Sequence, residues 1–304
     1  MTKLFIDGEH GTTGLKIRQR LEMDPTITLL SIPFDERHNL DVRVDYLRSA
    51  DIVILCLPNE AAEEAVEYLH DYKHIRIIDS STRFRTDPKW IYGFPELTKG
   101  QDENIASARL VSNPGCYATG AISLLRPLRE REVLSNSEML AINAISGYSG
   151  GGKKLIHEFE NTSETTLNYF SYALNLDHKH LPEMKLYSLL EKTPIFTPNV
   201  GRFPQGMLVN IPLDLSSRDL NAQKIHEIYE EHYQGKHNIL LCGLEETKQI
   251  TRLNPEELAN TDKLKIYIFE NEKENVINLC ASLDNLGKGA CGAALQNLNL
   301  MRGA

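Results

Sequence analysis

The 304-residue chain lacks any long apolar run, and this absence argues against a helix that spans a membrane. No stretch approaches the ~18 apolar residues that such a helix needs. The first residues, MTKLFIDGEHG, lead directly into a strand pattern without the basic and apolar regions of a signal peptide. We therefore expect a cytoplasmic protein that has no membrane partner.

Cysteine is scarce, and its spacing is irregular. The five residues include no C-x-x-C pair and are Cys56, Cys116, Cys242, Cys280 and Cys291. An odd, scattered set is typical of neither a disulfide framework nor a zinc site. We expect no bound metal and at least one free thiol.

Positive charge is in deficit, with 33 lysines and arginines against 42 aspartates and glutamates, for a net charge of -9. No basic patch offsets this balance, so a nucleic acid partner is not expected. If the substrate is a small anion, local arginines, lysines or helix N-termini must hold it. The remaining composition, 41% hydrophobic and 25% charged, is ordinary for a globular chain long enough for two domains.

The first part of the chain alternates strand-like and helix-like segments. Predicted helices cover LKIRQRLEM and residues 41–48 and 59–72, with Asn59 as the N-cap of the last. Near-continuous apolar strands that alternate with helices predict a parallel sheet covered on both faces, which is a Rossmann-like, doubly wound α/β architecture. The predicted strands cover residues 3–7, 26–32, 51–57 and 74–79.

The pattern changes after about residue 115. Apolar runs follow one another with few helical signals, and ENEKEN within the last run predicts a hairpin. We predict a dinucleotide-binding domain over residues 1–115 and an α+β domain with a mixed or antiparallel sheet over residues 116–284. A final helix within 285–304, with Leu295, Leu298 and Met301 on one side, is expected to pack back on the first domain. The apolar runs cover residues 139–146, 207–213, 238–244 and 265–283.

The turn after the first strand, DGEHGTTG, places Gly8, Gly11 and Gly14 in a G-x-x-G-x-x-G spacing. This spacing is one residue looser than the standard dinucleotide fingerprint, but it meets the same physical demand. Glycines let the backbone approach a pyrophosphate whose charge lies on the helix N-terminus. A tight strand-to-helix turn without a ligand is the alternative interpretation.

The end of the second strand bears on the choice of cofactor. Ser31 stands where an acidic residue would favour the 2'-hydroxyl of NAD, and Arg37 follows nearby. We therefore favour NADP, whose 2'-phosphate these residues would accommodate. Asp35 and Glu36 also lie close in the sequence and leave NAD open.

The segment SNPGCYATG places Cys116 directly after a Pro-Gly turn and at the start of a predicted helix that Pro127 disrupts. The unpaired N-H groups and the dipole at such a terminus favour a thiolate, which is the nucleophilic form. Cys56 and Cys280 lie in apolar strands and are interpreted as inert, and Cys291 as a packing residue on the last helix.

A nucleophilic thiol requires a base, and LDHKHLPEM offers two histidines, His178 and His180. The spacing alone does not choose between them. H-x-H would also serve as half of a metal site, but no convincing set of further ligands is close in the sequence.

Taken together, these motifs resemble the semialdehyde dehydrogenase superfamily. Within it, the chain is more similar to the shorter subfamily of reductases that act on N-acetyl-L-glutamyl 5-phosphate in arginine biosynthesis. The matching stretches are collinear and span nearly the whole chain: FIDGEHGTTGL, DSSTRFR, WIYGFPEL, SNPGCYATG, ISGYSGGGK, HKHLPE, RFPQGMLVNIPL and NLGKGACGAALQNLNLM.

The resemblance implies an NADPH-dependent reduction of the acyl phosphate to a semialdehyde, with phosphate released. Cys116 matches the nucleophile that forms a thioester, and His180 is the expected acid-base residue with His178 as the second choice. The expected substrate-binding residues are Arg85, Asn113, Ser149, Lys153, His178 and Glu183. The expected cofactor-binding residues are Gly8, Gly11, Thr12, Thr13, Gly14, Ser31, Arg37, Ser80 and Gln296.

The resemblance also implies a homodimer or homotetramer built by the second domain. Three positions depart from the family pattern, namely His10, Ala118 and Cys291, and none of them removes a required function. The alternatives are a related reductase for aspartyl or aminoadipyl phosphate and a nucleotide sensor without catalysis.

Overall fold

The computed structural model describes residues 1–161 and 165–303. The chain forms two compact units. The first unit comprises residues 1–95, 100–114 and 290–304, of which residue 304 lies outside the described part. The second unit comprises residues 96–99 and 115–289.

The strands and helices of both units are numbered in chain order. Through the first unit they alternate, as the apolar periodicity predicts. The strands of the described residues are β1 (Thr2–Asp7), β2 (Ile27–Leu30), β3 (Ile52–Leu55), β4 (Arg76–Asp79), β5 (Ile91–Tyr92), β6 (Leu110–Ser112), β7 (Ala141–Gly147), β8 (Tyr169–Ser171), β9 (Ile195–Gly201), β10 (Met207–Asp214), β11 (Ile239–Leu241), β12 (Leu264–Asn271) and β13 (Val276–Leu283). The helices are α1 (Thr12–Leu21), α2 (Leu40–Ser49), α3 (Asn59–Tyr68), α4 (Gln101–Ser107), α5 (Cys116–Glu130), α6 (Gly152–Glu160), α7 (Leu181–Tyr187), α8 (Ala222–His232), α9 (Leu244–Thr247) and α10 (Gly292–Arg302). Short 3-10 turns occupy Phe34–Glu36 and Tyr148–Gly151, and a π-helical turn occupies Gly287–Cys291.

The sheet of the first unit confirms the predicted parallel, doubly wound architecture. Its strand order is β2-β1-β3-β4-β6-β5, and every described pairing is parallel. Consecutive residues of β1 pack on opposite faces of the sheet, with Phe5 in one apolar cluster and Ile6 in another. The sheet is therefore buried on both faces, which explains the unbroken apolar strands. Helix α10 packs within this unit against α1 and α4.

The sequence patterns missed part of the first unit and misplaced one cap. The short elements β5, α4 and β6 carry no strong periodicity and were not predicted. Asn59 is not the N-cap of α3, because Pro58 takes that position. The Asn59 side chain instead accepts hydrogen bonds from the backbone N-H and the hydroxyl of Thr82, at 3.1 and 3.0 Å.

The second unit contains a mixed seven-stranded sheet in the order β11-β12-β13-β10-β7-β9-β8, as counted over the described residues. The predicted α+β class with a mixed sheet is confirmed. β12 and β13 pair antiparallel up to Asn271 and Val276, so the predicted ENEKEN hairpin is also confirmed. Helix α5 packs on β10 and β13, and Gly120 permits this approach because a Cβ there would lie 2.6 Å from a methyl of Val209.

Helix α5 runs past Pro127 to Glu130, so the prediction that Pro127 disrupts it was wrong. Proline lacks the N-H that would bond the carbonyl of Ser123. The hydroxyl of Tyr233 donates to that carbonyl instead, at 2.7 Å, and this contact satisfies the group that proline leaves unbonded.

Among the described residues, no helix has the length and apolarity required to cross a bilayer.

Candidate active site

Cys116 is the first residue of α5, a helix of 15 residues whose N-cap is Gly115. Gly115 has no side chain with which to cap this terminus. The first intrahelical bond runs from the N-H of Thr119 to the carbonyl of Gly115, so the N-H groups of Cys116 and the next two residues precede it. The structure therefore confirms the predicted helix start, where a thiolate or a substrate oxyanion would be stabilised.

Glu183, which the resemblance assigns to substrate binding, has a backbone contact at this terminus. Its buried carboxylate accepts the N-H of Gly115 at 3.0 Å. This hydrogen bond fixes the turn that precedes Cys116. Glu183 also brings a negative charge close to the helix start, which opposes the effect of the dipole on a thiolate.

His178 and His180 are both buried, with 6% and 5% of their surface exposed. The backbone N-H of His180 donates to Nδ1 of His178 at 3.1 Å, so the proton of a neutral His178 ring lies on Nε2. Nε2 in turn lies 3.2 Å from the hydroxyl oxygen of Tyr172. Both ring nitrogens of His178 are thus engaged in local bonds.

An aromatic cluster surrounds these histidines. The ring of Tyr117, the residue after Cys116, lies 5.8 Å from that of His178 and 6.0 Å from that of His180. The hydroxyl of Tyr117 donates to the carbonyl of Asn199 at 2.8 Å. The structure therefore brings the candidate base and the helix that carries the candidate nucleophile into contact.

Tyr172 is a candidate site residue that the sequence patterns missed. Burial raises its pKa to about 12, and the nearby Cys116 sulfur adds to the rise. The phenol therefore keeps its proton at neutral pH and remains a hydrogen-bond donor beside the thiol. No motif in the sequence points to Tyr172, because its contact with His178 depends on how the chain folds after strand β8.

The SGYSGGGK segment forms the 3-10 turn and the start of α6. The hydroxyl of Ser149 is bonded to the amide of Asn285 at 2.9 Å, and the carbonyl oxygen of that amide accepts the N-H of Gly206 at 2.9 Å. Lys153, in the first turn of α6, is exposed. Asn285 was not predicted as a site residue, although it holds the loop that carries two of the predicted ones.

In the first unit, Arg85, Ser80 and Asn113 come together. The buried Arg85 guanidinium donates to the carbonyl of Asn113 at 3.0 Å and to that of Ser80 at 3.1 Å. The side-chain amide of Asn113 donates to the carbonyl of Ala290 and accepts from the amide of Asn297, at 2.9 and 3.1 Å. Three of the predicted residues therefore form one hydrogen-bonded group.

The glycine turn has a backbone conformation that requires glycine, as its spacing predicts. Gly8 has a φ of +89°, and a Cβ there would lie 2.5 Å from the carbonyl oxygen of Cys56. Gly11 is the N-cap of α1 and donates its N-H to the carbonyl of Gly8 at 2.9 Å. The turn follows β1, which has β2 on one side and β3 on the other, so the chain crosses over β1 between these two strands. Doubly wound sheets bind nucleotides at such a reversal of the strand order. These residues therefore fit a dinucleotide.

The structure places Ser31 and Arg37 in different surroundings. Ser31 is bonded to Arg18 at 2.5 Å and to Glu9 at 3.1 Å, and Arg18 also pairs with Glu9. The guanidinium of Arg37 lies 3.7 Å from the centre of the Phe34 ring. Sequence reasoning missed Glu9 and Arg18, which meet only because the turn, α1 and the end of β2 converge.

Gln296 lies on α10 with a half-buried side chain, next to Asn297. The amide of Asn297 donates to the carbonyl of Gly93 at 2.9 Å in addition to its bond with Asn113. A Cβ at Gly93 would overlap that amide, so the glycine is required for this contact. Asn297 thus links α10 to Gly93 and Asn113, and the sequence patterns did not single it out.

The remaining cysteines behave largely as interpreted. Cys280 lies in β13 and is fully buried, and burial raises its thiol pKa to about 12. Cys291 is buried in the core of the first unit. Cys56 follows β3 rather than lying in it and is partly buried, and burial raises its pKa to about 12 as well.

A cavity of about 1360 Å³ lies in the second unit between α8, α9 and β12. It includes none of the predicted site residues, and its acidic lining is unsuited to a phosphate. The carboxylates that line it are Glu230, Glu245, Glu246, Glu270 and Glu272. Over the described residues, no group of three or more histidine, cysteine, aspartate or glutamate side chains is arranged to hold a metal ion.

The doubly wound sheet and its glycine turn define a nucleotide-binding protein, and comparison with known proteins identifies the family. Residues 116–285 match the family described as "Semialdehyde dehydrogenase, dimerisation domain", and residues 32–107 match "Semialdehyde dehydrogenase, NAD binding domain". The chain belongs to the semialdehyde dehydrogenase family.

One relative, from Brucella suis, is named N-acetyl-gamma-glutamyl-phosphate reductase. It is 52% identical over 306 aligned residues, which cover 99% of each chain. The fold is shared with aspartate semialdehyde dehydrogenase from Francisella tularensis, at 16% identity and a TM-score of 0.73, over 99% of this chain and 100% of that one. It is also shared with the Candida albicans aspartate semialdehyde dehydrogenase solved with NADP, at 13% identity and a TM-score of 0.68, over 99% of both chains.

The buried Asp79 gives a prediction for stability against pH. Burial raises its pKa from 3.8 to about 6, although a hydrogen bond from Ser81 at 2.6 Å and the charge of Arg85 oppose the rise. The folded state therefore holds this proton more tightly than the unfolded state. Its contribution to the free energy of unfolding is fully present below pH ~4 and is lost as pH rises to about 6.

Asp79→Asn keeps the shape of the side chain and an acceptor for the Ser81 hydroxyl, but it does not titrate. We therefore expect the free energy of unfolding of this variant to escape the loss that Asp79 causes as pH rises. The difference in free energy of unfolding between variant and wild type should move in favour of the variant by up to about 3 kcal/mol between pH 4 and pH 7. Urea unfolding at several pH values measures it, with the exposed Asp45→Asn as control. A difference that stays constant with pH would contradict the analysis.

Proposed function

We propose that the protein is an NADPH-dependent reductase that converts N-acetyl-L-glutamyl 5-phosphate to N-acetyl-L-glutamate 5-semialdehyde and phosphate, in arginine biosynthesis. The observation that carries the proposal is Cys116 as the first residue of α5, with Tyr117 in contact with both histidines. The substrate assignment is supported by the name of the relative that is 52% identical over 99% of both chains.

The first step is nucleophilic substitution at the acyl carbon. His180 takes the thiol proton of Cys116, and the sulfur then forms a bond to the acyl carbon while the bond from that carbon to the phosphate oxygen breaks. The carbonyl oxygen becomes transiently negative. The N-H groups in the first turn of α5 would stabilise such a charge near the sulfur. The product is a thioester on Cys116.

The glycine turn and the start of α1 would hold the pyrophosphate of the cofactor. When bound, NADPH supplies the hydride that reduces the thioester. His180 then protonates and deprotonates the oxygen of the resulting thiohemiacetal, and the carbon-sulfur bond breaks to release the aldehyde and the Cys116 thiolate. Tyr172 and His178 keep the surroundings of His180 fixed during these proton transfers.

Several groups would hold the anionic parts of the substrate. We assign the phosphate to Arg85, whose planar guanidinium suits two oxygens, and to Asn113 beside it. Ser149 and the exposed cation of Lys153 would bind the α-carboxylate or the departing phosphate. Glu183 acts through its bond to Gly115 and positions the turn that carries Cys116.

The two units have separate tasks in this proposal. Residues 1–115, with the helix within 285–304, bind NADPH, and residues 116–284 carry catalysis and dimerisation. The description of the matched family as a dimerisation domain supports a homodimer or homotetramer. A cytoplasmic location agrees with a small, water-soluble substrate.

A substrate panel tests the reaction. In the oxidative direction, with phosphate and NADP, we expect N-acetyl-L-glutamate 5-semialdehyde to turn over faster than aspartate or aminoadipate semialdehyde. Cys116→Ser should abolish turnover but keep cofactor binding, and His180→Asn should lower kcat by ~10²–10⁴-fold because it removes the acid-base group. His178→Asn is the matched control, with a smaller loss. Faster turnover of a non-acetylated substrate, or an active Cys116→Ser, would refute the assignment.

The cofactor assignment has its own prediction. Arg18 lies against Ser31 at the end of β2, so Arg18→Gln should lower kcat/KM for NADPH by ~10-fold or more and leave that for NADH nearly unchanged. Arg37→Gln tests the other predicted cofactor contact in parallel, because Arg37 lies against Phe34 instead. Steady-state kinetics with both cofactors measures the ratio. A change of preference in the Arg37 variant alone would contradict the role of Arg18.

A further inference from the structure

A buried ion pair that is not among the predicted site residues lies in the second unit. Nζ of Lys288 is 2.7 Å from a carboxylate oxygen of Glu96, and both side chains are only 1% exposed. Burial lowers the pKa of Lys288, while the charge and hydrogen bond of Glu96 oppose that effect. Lys288 is a charged residue among the largest fully buried side chains of the described chain.

Stability alone is a weak explanation for such a pair. Removing two charges from water is unfavourable, and their mutual attraction often does not exceed this desolvation penalty. Well-packed apolar residues of similar volume frequently give equal or greater stability. The geometry around Lys288 offers a further explanation.

The residue after Lys288 packs directly on the nucleophile. A Cβ at Gly289 would lie 2.7 Å from Cβ of Cys116 and 3.2 Å from its Cα, so the backbone at Gly289 forms a wall against Cys116. The N-H of Gly289 donates to the carbonyl of Asp284 at 2.9 Å. On the other side of Lys288, a Cβ at Gly287 would overlap the carbonyl of Thr261.

Glu96 is itself held in place. Its backbone carbonyl lies 3.3 Å from Nε2 of His232, at the end of α8. A continuous set of contacts therefore runs from α8 through Glu96 and Lys288 to the wall at Gly289. A shift in the ion pair would move that wall relative to the sulfur of Cys116.

We infer that the buried Lys288–Glu96 pair is a positioning device for Cys116, which fixes residues 287–289 as the wall that sets the place of the sulfur. This inference rests on the proposed function only in taking Cys116 as the nucleophile. Neither residue of the pair is a catalytic group. Both act through the backbone of Gly289.

The test separates stability from positioning in the full chain. Lys288→Met alone leaves a buried carboxylate without its partner, so the informative variants are Lys288→Met/Glu96→Leu and Glu96→Asp. The first removes both charges, and the second keeps both but shortens the acid by one methylene. The matched control is Lys248→Met/Glu245→Leu, which removes an exposed ion pair in the same way.

Three quantities are measured: the midpoint of thermal unfolding, kcat and KM for the acyl phosphate, and the rate of iodoacetamide labelling at Cys116 between pH 6 and 9, followed on its peptide by mass spectrometry. We expect the double variant to unfold near the wild-type temperature and to lose kcat by ~100-fold, since displacement of a reacting group by about 1 Å has effects of this size. KM should change by less than ~3-fold, and the labelling profile should shift. The control variant should match the wild type.

A double variant with wild-type kcat and labelling would show that the pair is only structural and would overturn the inference. If that variant does not fold, folded Glu96→Asp decides, because unchanged kcat and labelling in it would also overturn the inference. Failure of the proposed function is a separate result, seen as the absence of acyl phosphate reduction in the wild type. The labelling of Cys116 then still decides whether the pair positions the thiol.

Discussion

The start of helix α5 sets the chemistry of the proposed reaction. Its first residue is Cys116, and its N-cap is a glycine, which has no side chain to bond the N-H groups of the first turn. These groups and the helix dipole favour negative charge on sulfur and on a neighbouring oxygen. The proposed reaction needs both charges, first on the thiolate and then on the oxygen of each tetrahedral intermediate.

The same physical device occurs at the start of α1. Gly11 is its N-cap, again without a side-chain cap, and the glycines around it let the backbone come close to a ligand. By contrast, α2 and α8 begin with Asn39 and Asn221, whose side chains accept the N-H groups of their own first turns. The N-caps of α1 and α5 are glycines, which have no side chain to bond these groups, and the proposed function places a pyrophosphate at the first start and a thiolate at the second.

The features that the sequence predicted are those with local signals. The apolar runs of the first unit predicted a parallel sheet, because a strand buried on both faces cannot alternate polar and apolar residues. The Pro-Gly turn before Cys116 predicted a helix start, because proline and glycine act on the backbone next to them. The resemblance to a known family depended on short motifs that are likewise contiguous.

The features that escaped prediction depend on residues far apart in the chain. α5 continues through Pro127 because Tyr233, more than a hundred positions later, bonds the carbonyl that proline leaves unsatisfied. Asn59 does not cap α3, because Thr82 takes its side chain. Tyr172, Asn285 and the Arg18–Glu9 pair have no motif of their own, and only the folded chain brings them to the candidate sites.

The role of Cys116 is tested by its covalent state when the purified protein is mixed with N-acetyl-L-glutamyl 5-phosphate without NADPH. We expect one acyl group per chain, located on the Cys116 peptide by mass spectrometry, together with release of an equal amount of phosphate. A protein that reduces this substrate when NADPH is present but never carries an acyl group on Cys116 would contradict it.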